Sequence, residues 1–190
     1  MSAIELQKLD EACKNSFFEN FKRCFSSEKV SIDEFQEVFE KSKILTNRMA
    51  VVLLTGNEAT IHIKTYYNYR DLSPIIKSKF KKINDEASTI DDFVKEFTNL
   101  MGGKLRAMSA NVNLNMFMGT PFSSTGFDDI FLTMSDSKGG NKWRKAWVIE
   151  YSNAKFYCSA EVNSKDLDKI MAFEKLEWEL EGQEDEIDFL

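Results

Sequence analysis

The chain of 190 residues has little of several residue types on which common catalytic and structural schemes depend. It carries one histidine, so His-based metal sites and triad hydrolases lack their parts. Its three cysteines, Cys13, Cys24 and Cys158, form no CxxC pattern. Their odd number argues against a disulfide framework and for a reducing cytoplasm. Two prolines and eight glycines leave little room for low-complexity or collagen-like structure. No run approaches the roughly 20 continuous apolar residues of a membrane span, so no membrane association is expected. Residues 1–9 lack the apolar stretch of a signal peptide.

What is present is an apolar fraction of 43% and a charged fraction of 29%, enough for one domain-sized core. Phenylalanine is abundant, at 16 residues. The net charge of −6 is unevenly spread: residues 174–190 hold eight acidic side chains against Lys175, which leaves the rest at +1. Neither part has a basic stripe, so nucleic acid is not an expected partner. The expected division is a domain over residues 1–172 and an acidic extension over 173–190.

Hydrophobic periodicity supplies the elements. Leu6, Leu9, Cys13, Phe17, Phe21 and Cys24 recur at helical spacing, and Phe18 and Phe25 widen that face. Ser31-Ile-Asp-Glu34 reads as a capping box opening a short helix with Phe35, Val38 and Phe39. Residues 49–54 and 59–63 read as a hairpin turning at Thr55-Gly56-Asn57. The second strand puts His62 on the face opposite Ala59, Ile61 and Ile63, where it is expected at the surface. A helix over 71–83 is expected, started by Asp71 or Ser73 with Pro74 in its first turn. Strands are expected over 112–118, 129–135, 145–150 and 155–162, with a hairpin loop over 137–142 and a last helix from about Ser164. Trp143 and Trp147 fall on one strand face and read as packing residues. Helices mixed with antiparallel hairpins point to a single α+β domain, an antiparallel sheet flanked by long helices.

The longest helix, capped by Thr89 and running to about Met108, carries the chemistry. Ile90, Phe93, Val94, Phe97, Leu100, Met101, Leu105 and Met108 share one broad apolar face. Beside it, Asp92, Glu96, Asn99 and Gly103 recur at steps of four, three and four as a polar stripe. Glu96 and Asn99 therefore project together. Gly102-Gly103 costs the helix about 1 kcal/mol per glycine relative to alanine, a cost tolerated where a neighbour or partner approaches closely. Pro121 follows Asn99 after 21 intervening residues. A second E-x-x-N match, Glu150-Tyr-Ser-Asn153, falls at a strand end and turn, where the two side chains share no helix face. By spacing alone, a solvated helix face is the better account of Glu96 and Asn99.

The order Asp92-x3-Glu96-x2-Asn99 followed by Pro121 resembles the signature of the CheC/CheX/FliY phosphatases of response-regulator receivers. Met49-Ala-Val-Val-Leu-Leu-Thr-Gly56 resembles that family's first hairpin. Glu96-Phe-Thr-Asn-Leu-Met-Gly-Gly103 resembles its E-x-x-N-x-x-x-G helix, and Met116-Phe-Met-Gly-Thr-Pro121 its proline-ended strand. The resemblance spans about residues 45–165. No second E-x-x-N stands within residues 4–26, as in a one-site, CheX-type protein, and the acidic extension has no family counterpart.

The resemblance implies hydrolysis of the aspartyl phosphate of a CheY-like receiver, with Asn99 holding the attacking water and Glu96 pairing with the receiver's lysine. It implies no cofactor on this chain, with Mg²⁺ carried by the receiver, and a homodimer. Asp92, Gly103 and Pro121 become candidate docking residues; Asp92 also fits a helix-dipole role in the first turn. A non-catalytic adaptor of the same fold, gripping a receiver or a flagellar-switch component, is the alternative.

Overall fold

The computed structural model describes residues 3–25, 31–34, 46–80, 83–125, 141–152 and 154–165. In chain order the elements are α1 (Ala3–Phe25), β1 (Ser31–Glu34), β2 (Arg48–Thr55), β3 (Ala59–Tyr67), α2 (Tyr69–Lys79) and α3 (Glu86–Asn111). They are followed by β4 (Phe117–Met118), β5 (Phe122–Thr125), β6 (Asn141–Tyr151) and β7 (Ala154–Ser164). The seven strands form one antiparallel sheet in the order β1-β6-β7-β3-β2-β4, and β5 also pairs with β2. The fold is α+β, as the sequence implies.

The hairpins form where alternation places them. β2 and β3 pair from Arg48 with Tyr67 to Thr55 with Thr60. The helices lie on one face: α3 against β2 and β3, α1 beside α3 and against β6, α2 beside α3 and β7. Val52, Leu54, Ile61, Ile63, Phe156 and Trp147 supply that face from the sheet. The phenylalanines tie the helices to it. Phe21 meets Phe97 edge-on at 5.5 Å and Phe156 at 4.8 Å, and Phe25 meets Phe93 at 5.0 Å. Trp143 and Trp147 are buried on one strand face with ring centroids 6.4 Å apart. The three cysteines are free and buried. Burial pushes the Cys24 thiol up to about 11, so it packs as a small hydrophobe.

Several sequence expectations are corrected. Ser31–Glu34 does not open a helix; it is an edge strand whose residues pair with Glu150 back to Trp147 of β6. A capping box stabilises by about 1 kcal/mol, and an open strand edge offering a ladder outweighs it. Phe35, Val38 and Phe39 lie outside the described residues. Helix α2 begins earlier, at Tyr69 with Asn68 as its N-cap residue, so Pro74 lies in its second turn, and it ends at Lys79. Helix α3 is capped by Asp85, whose side chain accepts from the Ser88 amide, not by Thr89. Thr89 instead donates its hydroxyl to the Asp85 carbonyl. The strand expected over 112–118 shrinks to Phe117–Met118, because α3 runs on to Asn111 and Asn113 turns the chain with φ 59°. Strand β5 was not anticipated. Ser164 ends β7, and the last helix expected from about that point falls, beyond Lys165, outside the described residues. The strand over 129–135, the Ser137–Gly140 part of the loop, Asn153 and the acidic extension lie outside the described residues.

The sheet face away from the helices is not simply solvent. Met49, Val51 and Tyr66 are buried there, as are Lys64 and Glu161, whose side chains form an ion pair at 3.3 Å. His62 shares that face and is half-buried, not at the surface. Its burial and the neighbouring Lys64 charge lower its pKa.

Candidate functional site

Helix α3 presents the site. Ile90, Phe93, Val94, Phe97, Met101, Leu105 and Met108 are buried, and Leu100 packs against the same core. With that face committed, helical geometry turns Asp92, Glu96, Asn99 and Gly103 outward. Asp92 is exposed and the other three are half-buried.

The structure brings Glu96 and Asn99 together. The Asn99 Nδ2 donates to Glu96 Oε2 at 3.4 Å, which leaves the Asn99 Oδ1 acceptor and one carboxylate oxygen of Glu96 without a role in that bond. The orientation of the carboxamide follows from that bond. Asp92 turns aside to Lys95, 2.6 Å away. The stripe runs beside the end of α1. Burial raises the Cys24 thiol pKa, and the Glu96 charge adds to the rise. Asn20 of α1 approaches Met101 Sδ at 3.9 Å.

The two glycines divide the work. A Cβ on Gly102 would meet Met118 Sδ at 2.9 Å and Val52 Cγ1 at 3.0 Å, so this glycine lets α3 settle onto β2 and β4. A Cβ on Gly103 would meet nothing within 4 Å, so its surface is open. Pro121 is half-buried between β4 and β5, which hold successive stretches of β2.

One cluster escaped the sequence reading. The Asp91 carboxylate accepts from Tyr67 Oη at 2.6 Å, Tyr69 Oη at 2.8 Å, Arg48 Nε at 3.2 Å and Ser123 Oγ at 3.4 Å. A second Arg48 nitrogen closes the ion pair, and the guanidinium lies over the Tyr69 ring at 5.1 Å. Burial opposes the Asp91 charge, but the Tyr67, Arg48 and Tyr69 hydrogen bonds outweigh it and hold the carboxyl below the usual aspartate range. The same burial and bonding push the Tyr69 phenol up to about 12. The available signal was Asp91 itself, an acid on the helix face that otherwise turns inward.

Among the described residues no three histidine, cysteine or acidic side chains gather to hold a metal ion, and no helix is long and apolar enough to cross a membrane.

Comparison of the sequence with protein-family profiles and with curated proteins gives no match. Solved structures do match. A chain of the Borrelia burgdorferi CheX–CheY–BeF3–Mg complex superposes with a TM-score of 0.63 at 9% identity, over 80% of this chain and 96% of that one. The chain has the CheX/CheC/FliY fold. Vibrio vulnificus CheX superposes with a TM-score of 0.59 at 12% identity, covering 82% of this chain and 96% of its own. A chain of the Helicobacter pylori FliM–SpeE complex gives 0.52 at 10% identity, over 90% and 95%. In this CheX/CheC/FliY fold, as the chain builds it, α3 is the long helix whose outer stripe carries Glu96 and Asn99.

Proposed function

We propose that this chain hydrolyses the aspartyl phosphate of a CheY-like receiver domain docked on the outer stripe of α3. The observation that carries the reading is the Glu96–Asn99 hydrogen bond on an outward helix stripe, in a fold shared with a chain of the CheX–CheY–BeF3–Mg complex. One N–H of the Asn99 amide is given to Glu96, which leaves its carbonyl oxygen to accept a hydrogen bond from water. A water so held lies in line with the phosphorus of the docked receiver. Its oxygen attacks, the bond from phosphorus to the receiver carboxylate breaks, the carboxylate leaves with the bonding pair, and both of the water's protons leave on inorganic phosphate. The receiver brings the Mg²⁺ and the lysine that neutralise the phosphoryl oxygens. Positioning and electrostatics suffice, as in phosphoryl transfer generally.

Glu96 has two oxygens. One accepts from Asn99, and the other is free to pair with the receiver's lysine and fix the register of docking. Gly103, with open space above it, lets the receiver come close to the helix backbone.

The second reading is a binding module without catalysis, favoured by the likeness to a chain of the FliM–SpeE complex. The test is phosphate release and binding measured side by side. Receivers charged with a small phosphodonor and Mg²⁺ are mixed with wild type, Glu96→Ala and Asn99→Ala. Phosphatase action predicts that Glu96→Ala weakens binding by about 2 kcal/mol, while Asn99→Ala binds and turns over about 100-fold more slowly. Tight binding of a receiver with no acceleration by the wild type assigns the chain to the adaptor class.

A further inference from the structure

The Asp91 cluster lies outside the polar stripe, and the chemistry proposed above does not use it. It joins five elements at one carboxylate: Arg48 of β2, Tyr67 of β3, Tyr69 of α2, Ser123 of β5 and α3 itself. The side chains of Arg48 and Asp91 are each 14% exposed, so these bonds are made largely out of water, where they are directional and costly to lose. A second polar contact lies seven residues on, where the hydroxyls of Thr98 and Thr65 are hydrogen-bonded at 2.9 Å in the buried interface. Seven residues turn a helix through about 700°, so Asp91 and Thr98 sit about 20° apart on one line facing β3. Their partners on β3, Tyr67 and Thr65, are two residues apart and point to the same sheet face.

The line of polar contacts bears on Glu96 and Asn99 by geometry. Hydrogen bonds are directional, so two hydrogen-bonded points on one line add to the close packing a specific restraint on the rotation of the helix. Side-chain tips lie about 6 Å from a helix axis, so a rotation of about 10° carries the Glu96–Asn99 pair about 1 Å. A displacement of that size costs a positioned reaction about 100-fold. Ser123 extends the same restraint to the segment that follows Pro121, because β5 begins at Phe122.

We infer that Asp91 is a positioning residue: through Arg48, Tyr67, Tyr69 and Ser123 it fixes the rotation of α3, and so the placement of Asn99 and Glu96. The turnover half of this inference rests on the phosphatase reading; the placement half does not.

The experiment uses the full chain with Asp91→Asn, which keeps the shape of the side chain but replaces one acceptor oxygen with a donor. A core variant on β7, Val162→Ala, matches it for lost stability. The readouts are the Asn99 side-chain amide resonances, taken without receiver and well below each melting temperature, and turnover at saturating phosphorylated receiver. Asp91→Asn is expected to shift the Asn99 amide resonances and to lower saturated turnover roughly ten- to hundredfold, with the half-saturating receiver concentration unchanged. Val162→Ala is expected to move neither. An Asp91→Asn protein that melts lower but keeps wild-type Asn99 resonances overturns the inference and makes the cluster a stability anchor. If the wild type accelerates no receiver, the phosphatase reading fails and Asp91 is judged on the resonances alone. If the resonances shift while turnover holds, α3 has moved without consequence for catalysis, and the turnover half is overturned.

Discussion

Two adjacent glycines in α3 have opposite reasons to be there. Gly103 is helical with open space where a Cβ would stand, so Gly103→Ala should stabilise the fold by about 1 kcal/mol. Gly102→Ala should bring no such gain, because its Cβ would press on Met118 and Val52 at 2.9 and 3.0 Å. Denaturant titration of both variants checks this; equal stabilisation would contradict the packing described for α3. Docking on the stripe adds a second expectation, that the stabilised Gly103→Ala protein binds its receiver more weakly. At this scale Glu96 and Asn99 were legible in the sequence, because one helical turn brings two residues three apart together whatever the rest of the chain does. Asp91 was not. Its partners come from residues 48, 67, 69 and 123, and no local pattern brings those four side chains to one point.

At the scale of elements, α3 is held both by packing and by polar contact, and the two can be measured separately. Phe97 is 1% exposed between Phe21 and Phe156, so Phe97→Ala should cost about 3–5 kcal/mol of stability in a denaturant melt. A variant as stable as the wild type would contradict the assigned helix phase. Asp91 contributes with a pH signature. Its carboxyl is held below the ordinary value of 3.8, so the stabilisation is complete above that value and is lost as pH falls through the lower folded-state value. Asp91→Asn should therefore be less stable than wild type at neutral pH, and the gap should narrow below about pH 4. A gap independent of pH would show that the carboxylate's charge is not what the cluster uses. Long amphipathic elements were read correctly from periodicity: α1, α3 and the β2–β3 hairpin. Short ones were not. Ser31–Glu34 has the letters of a helix start, yet it pairs with β6 far along the chain, and local preference is too weak to resist. For β4 and β5 the sequence offers two and four residues, too few for any period to show.

For the whole molecule, composition and alternation were enough to give α+β, but strand order was not legible. It depends on which edges remain open once the hairpins have formed: β7 closes on β3, and β4 and β5 share the outer edge of β2. The misplacement of His62 has the same origin. Alternation assigned it correctly to the face away from the helices but could not tell that Lys64, Tyr66 and Glu161 are buried on that face. The outcome is a seven-stranded sheet behind its helices, with a carboxylate and a carboxamide bonded to each other on the outer side of α3. The proposed hydrolysis depends most heavily on Asn99. The measurement that tests it most directly is single-turnover release of phosphate from a phosphorylated receiver held in complex with saturating protein and Mg²⁺. Wild type should accelerate release, and Asn99→Ala, bound equally well, should be about 100-fold slower. Release from the Asn99→Ala complex as fast as from the wild-type complex would contradict the account.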